Sequence, residues 1–407
     1  MLKAGGSGRP TRRVRPDGFA TVPTRADIHS KGGASVNDVN GPKAARDDGD
    51  GRDFELDTTS VVRVPVNNGP ISDIDISPDG RRLIATNYGR NMVSIIDAHS
   101  CRVSSTIAGL PEPFAVAMSS ADANYAYVST ATAAYDAIEV IDIVTNWRIA
   151  THRLAHSVSD LTVSPNGRYV YASRNAVRGA DVTVLDTTTG ELEVIDLAAA
   201  PDTTTECVRS SPDGRRLYVG MNGPASGSVA VVETRTRSDA RRVGGRSRLV
   251  GVIDVGLPLR DVALSNDGGT AYVASCDPVA GAVLDMVDTR ANRIIGTHKI
   301  TEITGPLTRM TLSRDGARAY AVSDDHITVL STHKQEVVGE VKVSKHPSCV
   351  VESPDGCHLY VADFSGIVTA ARIAPPAAAQ SCSDDADTDL LVAGWLPELP
   401  HWEPALT

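Results

Sequence analysis

Asp73, Asp160 and Asp261 each stand seven residues before the last residue of a short turn that recurs along the chain, inside otherwise apolar runs of strand type. In the other copies the same column reads Val116, Cys207, Arg309 and Cys349, and Asp75, Glu206, Arg209 and Arg260 fall on the same runs. Convergent carboxylates of this kind could hold a divalent cation such as Ca²⁺ by oxygen coordination, or present a general base beside arginines that bind an acidic substrate. The structural alternative is that each Asp accepts hydrogen bonds from the neighbouring repeat's backbone or pairs with Arg260 or Arg309, which satisfies a buried charge without chemistry. The channel candidates are Asp73, Asp160, Glu206, Arg260, Asp261 and Arg309.

Other signals for chemistry are weaker. His152, His156, His298, His326, His346 and His358 are spread along the chain with no Cys/His cluster, so no transition-metal site is expected. No GxSxG, P-loop or GxGxxG stands in a strand-to-helix context. The six cysteines lack both disulfide-scaffold density and CxxC pairs, and most are expected to be free, small core residues. Between Arg235 and Arg248 six arginines form an insertion that could dock an anionic partner, or that is a solvated loop.

The elements that must position these residues are set by a repeat. Ser77-Pro78-Asp79-Gly80 recurs as Ser120-Ala121-Asp122-Ala123, Ser164-Pro165-Asn166-Gly167, Ser211-Pro212-Asp213-Gly214, Ser265-Asn266-Asp267-Gly268, Ser313-Arg314-Asp315-Gly316 and Ser353-Pro354-Asp355-Gly356. Four positions after each turn comes Ile84, Tyr127, Tyr171, Tyr218, Tyr272, Tyr320 or Tyr360. Ser and Asp cap the backbone with their side chains, Pro pre-sets φ, and Gly accepts the left-handed conformation, so each turn joins two strands. Two further strands complete each unit. The fold expected is all-β, a seven-bladed β-propeller of four-stranded antiparallel blades. After the seventh turn only two strands remain, whereas Ser60–Val66 precedes the first blade without a partner, so the N-terminal strand should close the ring and cover blade seven's edge.

The phrases Ser-Pro-Asp-Gly-Arg-Arg-Leu-Tyr-Val at 211–219 and Ser-Pro-Asp-Gly-Cys-His-Leu-Tyr-Val at 353–361 resemble the YVTN-type β-propeller repeats of surface-layer and related proteins. WD40 is a poorer match, because no Gly-His and Trp-Asp pair recurs. The group resembled also includes seven-bladed lactonases acting on sugar-acid lactones. The resemblance therefore implies a fold, and leaves two classes of function open. The first is a non-catalytic binding or scaffold propeller. The second is a lactonase-like hydrolase working at the central channel mouth.

Composition frames the rest. A net charge of −10 makes indiscriminate nucleic-acid binding unexpected. No signal peptide or membrane-spanning window is visible, so a cytoplasmic location and no membrane insertion are expected, with a monomer as the default state and an unknown protein or small molecule as partner. Residues 1–56 read as a disordered tail, 57–374 as the propeller, and 375–407 as an acidic tail carrying Trp395 and Trp402. With the Ser-Pro-Asp-Gly turns on one face, the irregular loops gather on the other, where Asn87, Arg90, Arg174, Asn175, Asp277, Asp324, His326 and Asp363 are the rim candidates for binding. No cofactor is expected beyond a possible divalent cation.

Overall fold

In the computed structural model, residues 56–373 are described, apart from 122–123, 156, 177–178, 198, 225, 235–246, 278, 280, 304, 324–325 and 343–345. The tails and Asp324 lie outside the described residues, as does most of the arginine-rich insertion. Twenty-eight strands form seven four-stranded antiparallel sheets, and the described residues include no α-helix. The innermost strands, one per blade, are β2 (Ile71–Ile76), β6 (Val116–Met118), β10 (Val158–Val163), β14 (Thr204–Ser210), β18 (Leu259–Leu264), β22 (Arg309–Leu312) and β26 (Pro347–Glu352). β1 (Leu56–Pro65) pairs antiparallel with β28 (Ile367–Ile373), Val64 opposite Val368, and so supplies the outer strand of blade seven. A ring closed in this way leaves no blade short of a strand.

The turn phrase acts as reasoned. At the fourth turn Ser211 Oγ donates to Asp213 Oδ1 (2.6 Å) and accepts from Arg216 N (2.9 Å), while Asp213 Oδ1 also accepts from Arg215 N (3.0 Å). Gly214 has φ +68°, and a Cβ there would stand 3.3 Å from Pro165 Cδ of the preceding turn. Gly80 faces Pro354 in the same way, so the seventh turn packs on the first. The Pro therefore sets φ within its own turn and seats the Gly of the next.

The residue four positions after each turn is buried in all seven blades. The aromatic ring fills the space between sheets while the hydroxyl reaches across it. Tyr320 Oη donates to Glu352 Oε1 of the next blade (3.0 Å), and Tyr360 Oη donates to Ala98 O across the closure (3.4 Å). Apolar clusters repeat between adjacent blades, as with Val64, Ile74, Leu83, Tyr360 and Val368 at the junction of blades seven and one.

One expectation changes, in blade two, while that of mostly free cysteines holds. In blade two the turn-closing bond runs from Ser119 N to Tyr125 O, one residue longer than Ser77 N to Arg82 O in blade one. The inserted residue shifts the pairing so that Ala117 faces Tyr127, and Ala115 rather than Val116 occupies the column. Cys101, Cys207, Cys276 and Cys349 are free thiols, whereas Cys357 is disulfide-bonded.

Candidate functional site

The channel edge of an innermost strand carries N–H groups with no strand beyond it to accept them, and a buried donor without a partner costs about 1–3 kcal/mol. The aspartates answer this need. Asp73 Oδ2 accepts from Val116 N (3.0 Å), Asp160 Oδ2 from Val208 N (3.1 Å) and Asp261 Oδ2 from Met310 N (3.0 Å). Each bond joins an odd-numbered blade to the next one, at equivalent positions. Asp75 Oδ2 repeats the contact one step nearer the turns, accepting from Met118 N at 2.7 Å.

Two arginines tie these acids across the channel. Arg209 of blade four places Nη1 2.5 Å from Asp160 Oδ2 and Nη2 2.6 Å from Asp261 Oδ1, bridging blades three and five. Arg309 of blade six reaches Asp73 Oδ2 (3.4 Å) and Asp160 Oδ1 (3.5 Å), bridging blades one and three. The Asp160 and Asp261 side chains are 3% and 1% exposed, which makes these buried ion pairs.

Four carboxylates share two guanidiniums, and the titration follows that imbalance. Burial pushes Asp73 up to about 6, opposed by Arg309 and reinforced by Asp160. Burial likewise pushes Asp75 up to about 6, against its two backbone hydrogen bonds. For Asp160 burial again acts upward, but Arg209 and Arg309 outweigh it and hold the carboxyl below its ordinary value. Burial works against the charge on Arg209 and Arg309, yet the flanking aspartates keep both firmly protonated. Burial also pushes the column's thiols up, Cys349 to about 12 and Cys207 well above its ordinary value, which disfavours the reactive thiolate.

On the turn side of this charge ring the channel widens into a funnel of about 480 Å³, whose wall includes Asp75, Met118, Arg209, Leu264, Met310 and Arg314. A larger groove of about 640 Å³ runs along Leu192–Asp196 and Ser247–Leu249 on the circumference, away from the converging charges.

The other candidates fall elsewhere. Glu206 and Arg260 sit at β-bulges, where the register slips between Thr205 and Cys207 and between Leu259 and Asp261. A bulge re-aims the side chain, so these two leave the ring and interact with each other. Asn222 Nδ2 donates to Glu206 Oε1 at 3.1 Å, and burial raises the pKa of this acid.

On the rim, Asn87 is fully buried and accepts from Ser94 Oγ (2.7 Å), while Arg174 makes a two-pronged pair with Asp181 (2.7 and 2.8 Å). Asn175 Oδ1 accepts from Thr205 N of the next blade at 2.6 Å, and Asp363 Oδ1 caps Ser365 N and Ile367 N. Asp277 accepts from Val279 N, and His326 Nδ1 lies 3.5 Å from Ser323 Oγ. Arg90 is exposed and covers Gly69. Arg209, the hub of the ring, lies two positions beyond the aligned column. Its signal was a lone arginine on an inner strand opposite three acids. Among the described residues, no three or more His, Cys, Asp or Glu side chains are grouped so as to hold a metal ion, and no helix is long and apolar enough to cross a membrane.

No family model matches the sequence. Among solved structures, hydrazine synthase of Kuenenia stuttgartiensis superposes with a TM-score of 0.65 at 21% identity, covering 75% of this chain and 96% of that one, a likeness of fold alone. Among characterised proteins, the "seven-bladed beta-propeller protein Rv1057" of Mycobacterium tuberculosis is 48% identical over 390 residues, spanning 90% of this chain and 99% of the relative. The repeats, the closed seven-sheet ring and this full-length relationship together establish that the chain belongs to the seven-bladed β-propeller family that includes Rv1057.

Proposed function

We propose that the chain is a non-catalytic binding propeller, a rigid ring that presents a protein or small-molecule surface at the channel funnel and the loops of the opposite rim. The observation that carries this reading is the commitment of the channel carboxylates. Asp73, Asp160 and Asp261 each hold a backbone N–H of the next blade and an arginine. A general base must keep a lone pair within reach of a substrate proton, and these three are turned into the wall. The resemblance to YVTN-type repeats supports a scaffold in the same sense, because its motif residues are spent on turns and blade packing.

Asp75 favours the second reading. It lines the funnel with a pKa near 6, the range in which a carboxylate serves as a base at neutral pH. A lactonase-like hydrolase would use it to activate water, with Arg209 beside it. Turnover of a lactone panel separates the two. The binding reading expects no hydrolysis above buffer from the wild type. Hydrolysis abolished by Asp75→Asn or Asp160→Asn in a variant of native circular dichroism would replace it with the hydrolase.

A further inference from the structure

The turn end of blade two differs from that of its neighbours. Its outer strands are β7 (Tyr125–Ala131), β8 (Asp136–Asp142) and β9 (Trp147–Leu154), and the register sets Tyr125, Asp142 and Trp147 opposite one another in the row beside the turns. Side chains of one such row leave the same face of the sheet. In blade one the equivalent row reads Arg82, Asp97 and Arg102, in blade four Arg216, Glu233 and Arg248, and in blade five Thr270, Asp288 and Arg293. An acid beside arginine closes each of those rows, as where Arg248 pairs with Glu233 at 2.8 Å. Blade two brings aromatic rings to both sides of its acid, and Trp147 is 71% exposed. This face looks onto blade three, since Tyr127 and Val140 are buried there with Leu161 and Val170. Elsewhere Pro165 seats on Gly214 and Pro212 on Gly268, but between blades two and three the smaller Ala121 meets Gly167. A groove of about 650 Å³ opens at this junction, with Tyr125, Tyr127, Val140 and Ile149 on one wall and Arg168 and Thr188 on the other.

The chemistry of the groove defines its occupant. Its charges are already engaged: Arg168 Nη2 lies 2.9 Å from Asp186 Oδ2, and Asp142 Oδ1 caps Val144 N and Thr145 N. A charged ligand finds no counter-charge there, and burying it unpaired is costly. Nor does the outer edge of β9 offer an unbroken ladder to an added strand, because a bulge interrupts it between the partners of Val140 and Ile141. What the groove does offer is aromatic surface with a phenol and an indole N–H as donors. An uncharged polyproline II segment matches this, since its backbone makes no internal hydrogen bonds and its carbonyls stay open to donors. Aromatic-lined grooves recognise such segments at little cost in entropy, because the helix is already formed. We propose that the groove between blades two and three docks a proline-rich segment of a partner protein in polyproline II form, with Trp147 and Tyr125 as its anchors. The site shares no lining residue with the funnel, and it goes beyond the binding reading without depending on it.

The test is fluorescence anisotropy of a fluorescein-labelled decaproline peptide titrated with the full-length protein, with a glycine–serine peptide of equal length as the flexible reference. Decaproline should bind saturably and the reference should not. Trp147→Ala and Ile149→Arg, both at exposed positions, should each weaken binding about tenfold or more. Ile295→Ala, at the matching bulge of blade five, should leave it unchanged. No saturable binding, equal binding of the two peptides, or binding indifferent to Trp147→Ala overturns the proposal. So does light scattering that finds a dimer dispersed by Trp147→Ala, since a second copy of the chain then covers the groove.

Discussion

Replacing Arg209 by Met removes the cation that holds Asp160 and Asp261 together across the channel while keeping much of the side-chain volume. Both carboxylates are at most 3% exposed, and Arg209 is 2.5 Å from one and 2.6 Å from the other. Breaking a buried pair by deleting one partner costs about 3–5 kcal/mol, because it strands a desolvated charge. Arg309 stays 3.5 Å from Asp160 and shields it in part, so Asp261 bears most of the loss. In a domain of this size about 2 °C of melting temperature accompanies each kcal/mol, which makes the expected drop about 6–10 °C at pH 7. The defect should shrink in acid. In the wild type the Asp160 carboxyl is held low, so its contribution is present above its ordinary value and is lost as pH falls. Without Arg209 only Arg309 and the Val208 N–H oppose burial at Asp160, so its carboxyl takes up a proton more readily and less is lost in acid. Urea denaturation followed by circular dichroism at pH 7 and pH 4.5 measures both effects, and adding Asp261→Asn to Arg209→Met should recover part of the loss at pH 7. A single variant within about 1 kcal/mol of wild type at pH 7 would refute the argument, since a buried charge cannot be stranded so cheaply.

Asp73 should give the opposite pH dependence. Raised from 3.8 to about 6, it contributes stability that is full below about 3.8 and lost as pH rises through 6, a change of about 3 kcal/mol. Denaturation of wild type and Asp73→Asn at pH 4, 5, 6 and 7 should show that the variant lacks this decline; parallel curves would contradict it. Deleting residues 1–54 should leave the melting transition nearly unchanged, whereas deleting 1–67 removes β1, bares the edge of β28 and should lower stability or cause association in light scattering. A monomeric, equally stable 1–67 deletion would contradict the closure.

The fold was legible because one short phrase does three jobs at a fixed spacing. Ser211, Asp213 and Gly214 close a turn, Pro212 seats the next glycine, and Tyr218 fills the gap between sheets. Closure was legible from strand count alone. The site was less so, for local reasons. One residue added to the second turn moved Ala115 into the place read as Val116. Bulges took Glu206 and Arg260 out of the ring, and a bulge leaves no mark in a period of two. Arg209 reaches the acids from two residues further along its strand, a diagonal that a single aligned column does not sample. On the rim, polarity suggested exposure, yet Asn87, Asn175 and Asp363 spend their oxygens on internal donors.

The central claim is that the channel aspartates fasten blades together and do not form an open cation or catalytic centre. A thermal-shift titration of wild type and Asp261→Asn with Ca²⁺ and with EDTA tests it most directly. Asp261 accepts from Met310 N and Arg209, so its loss should lower stability by about 1–3 kcal/mol at every metal concentration, with neither protein responding to Ca²⁺. A saturable rise in the wild-type melting temperature on adding Ca²⁺, weakened by a substitution that itself stabilises the metal-free protein, would contradict the claim and mark the ring as a cation site.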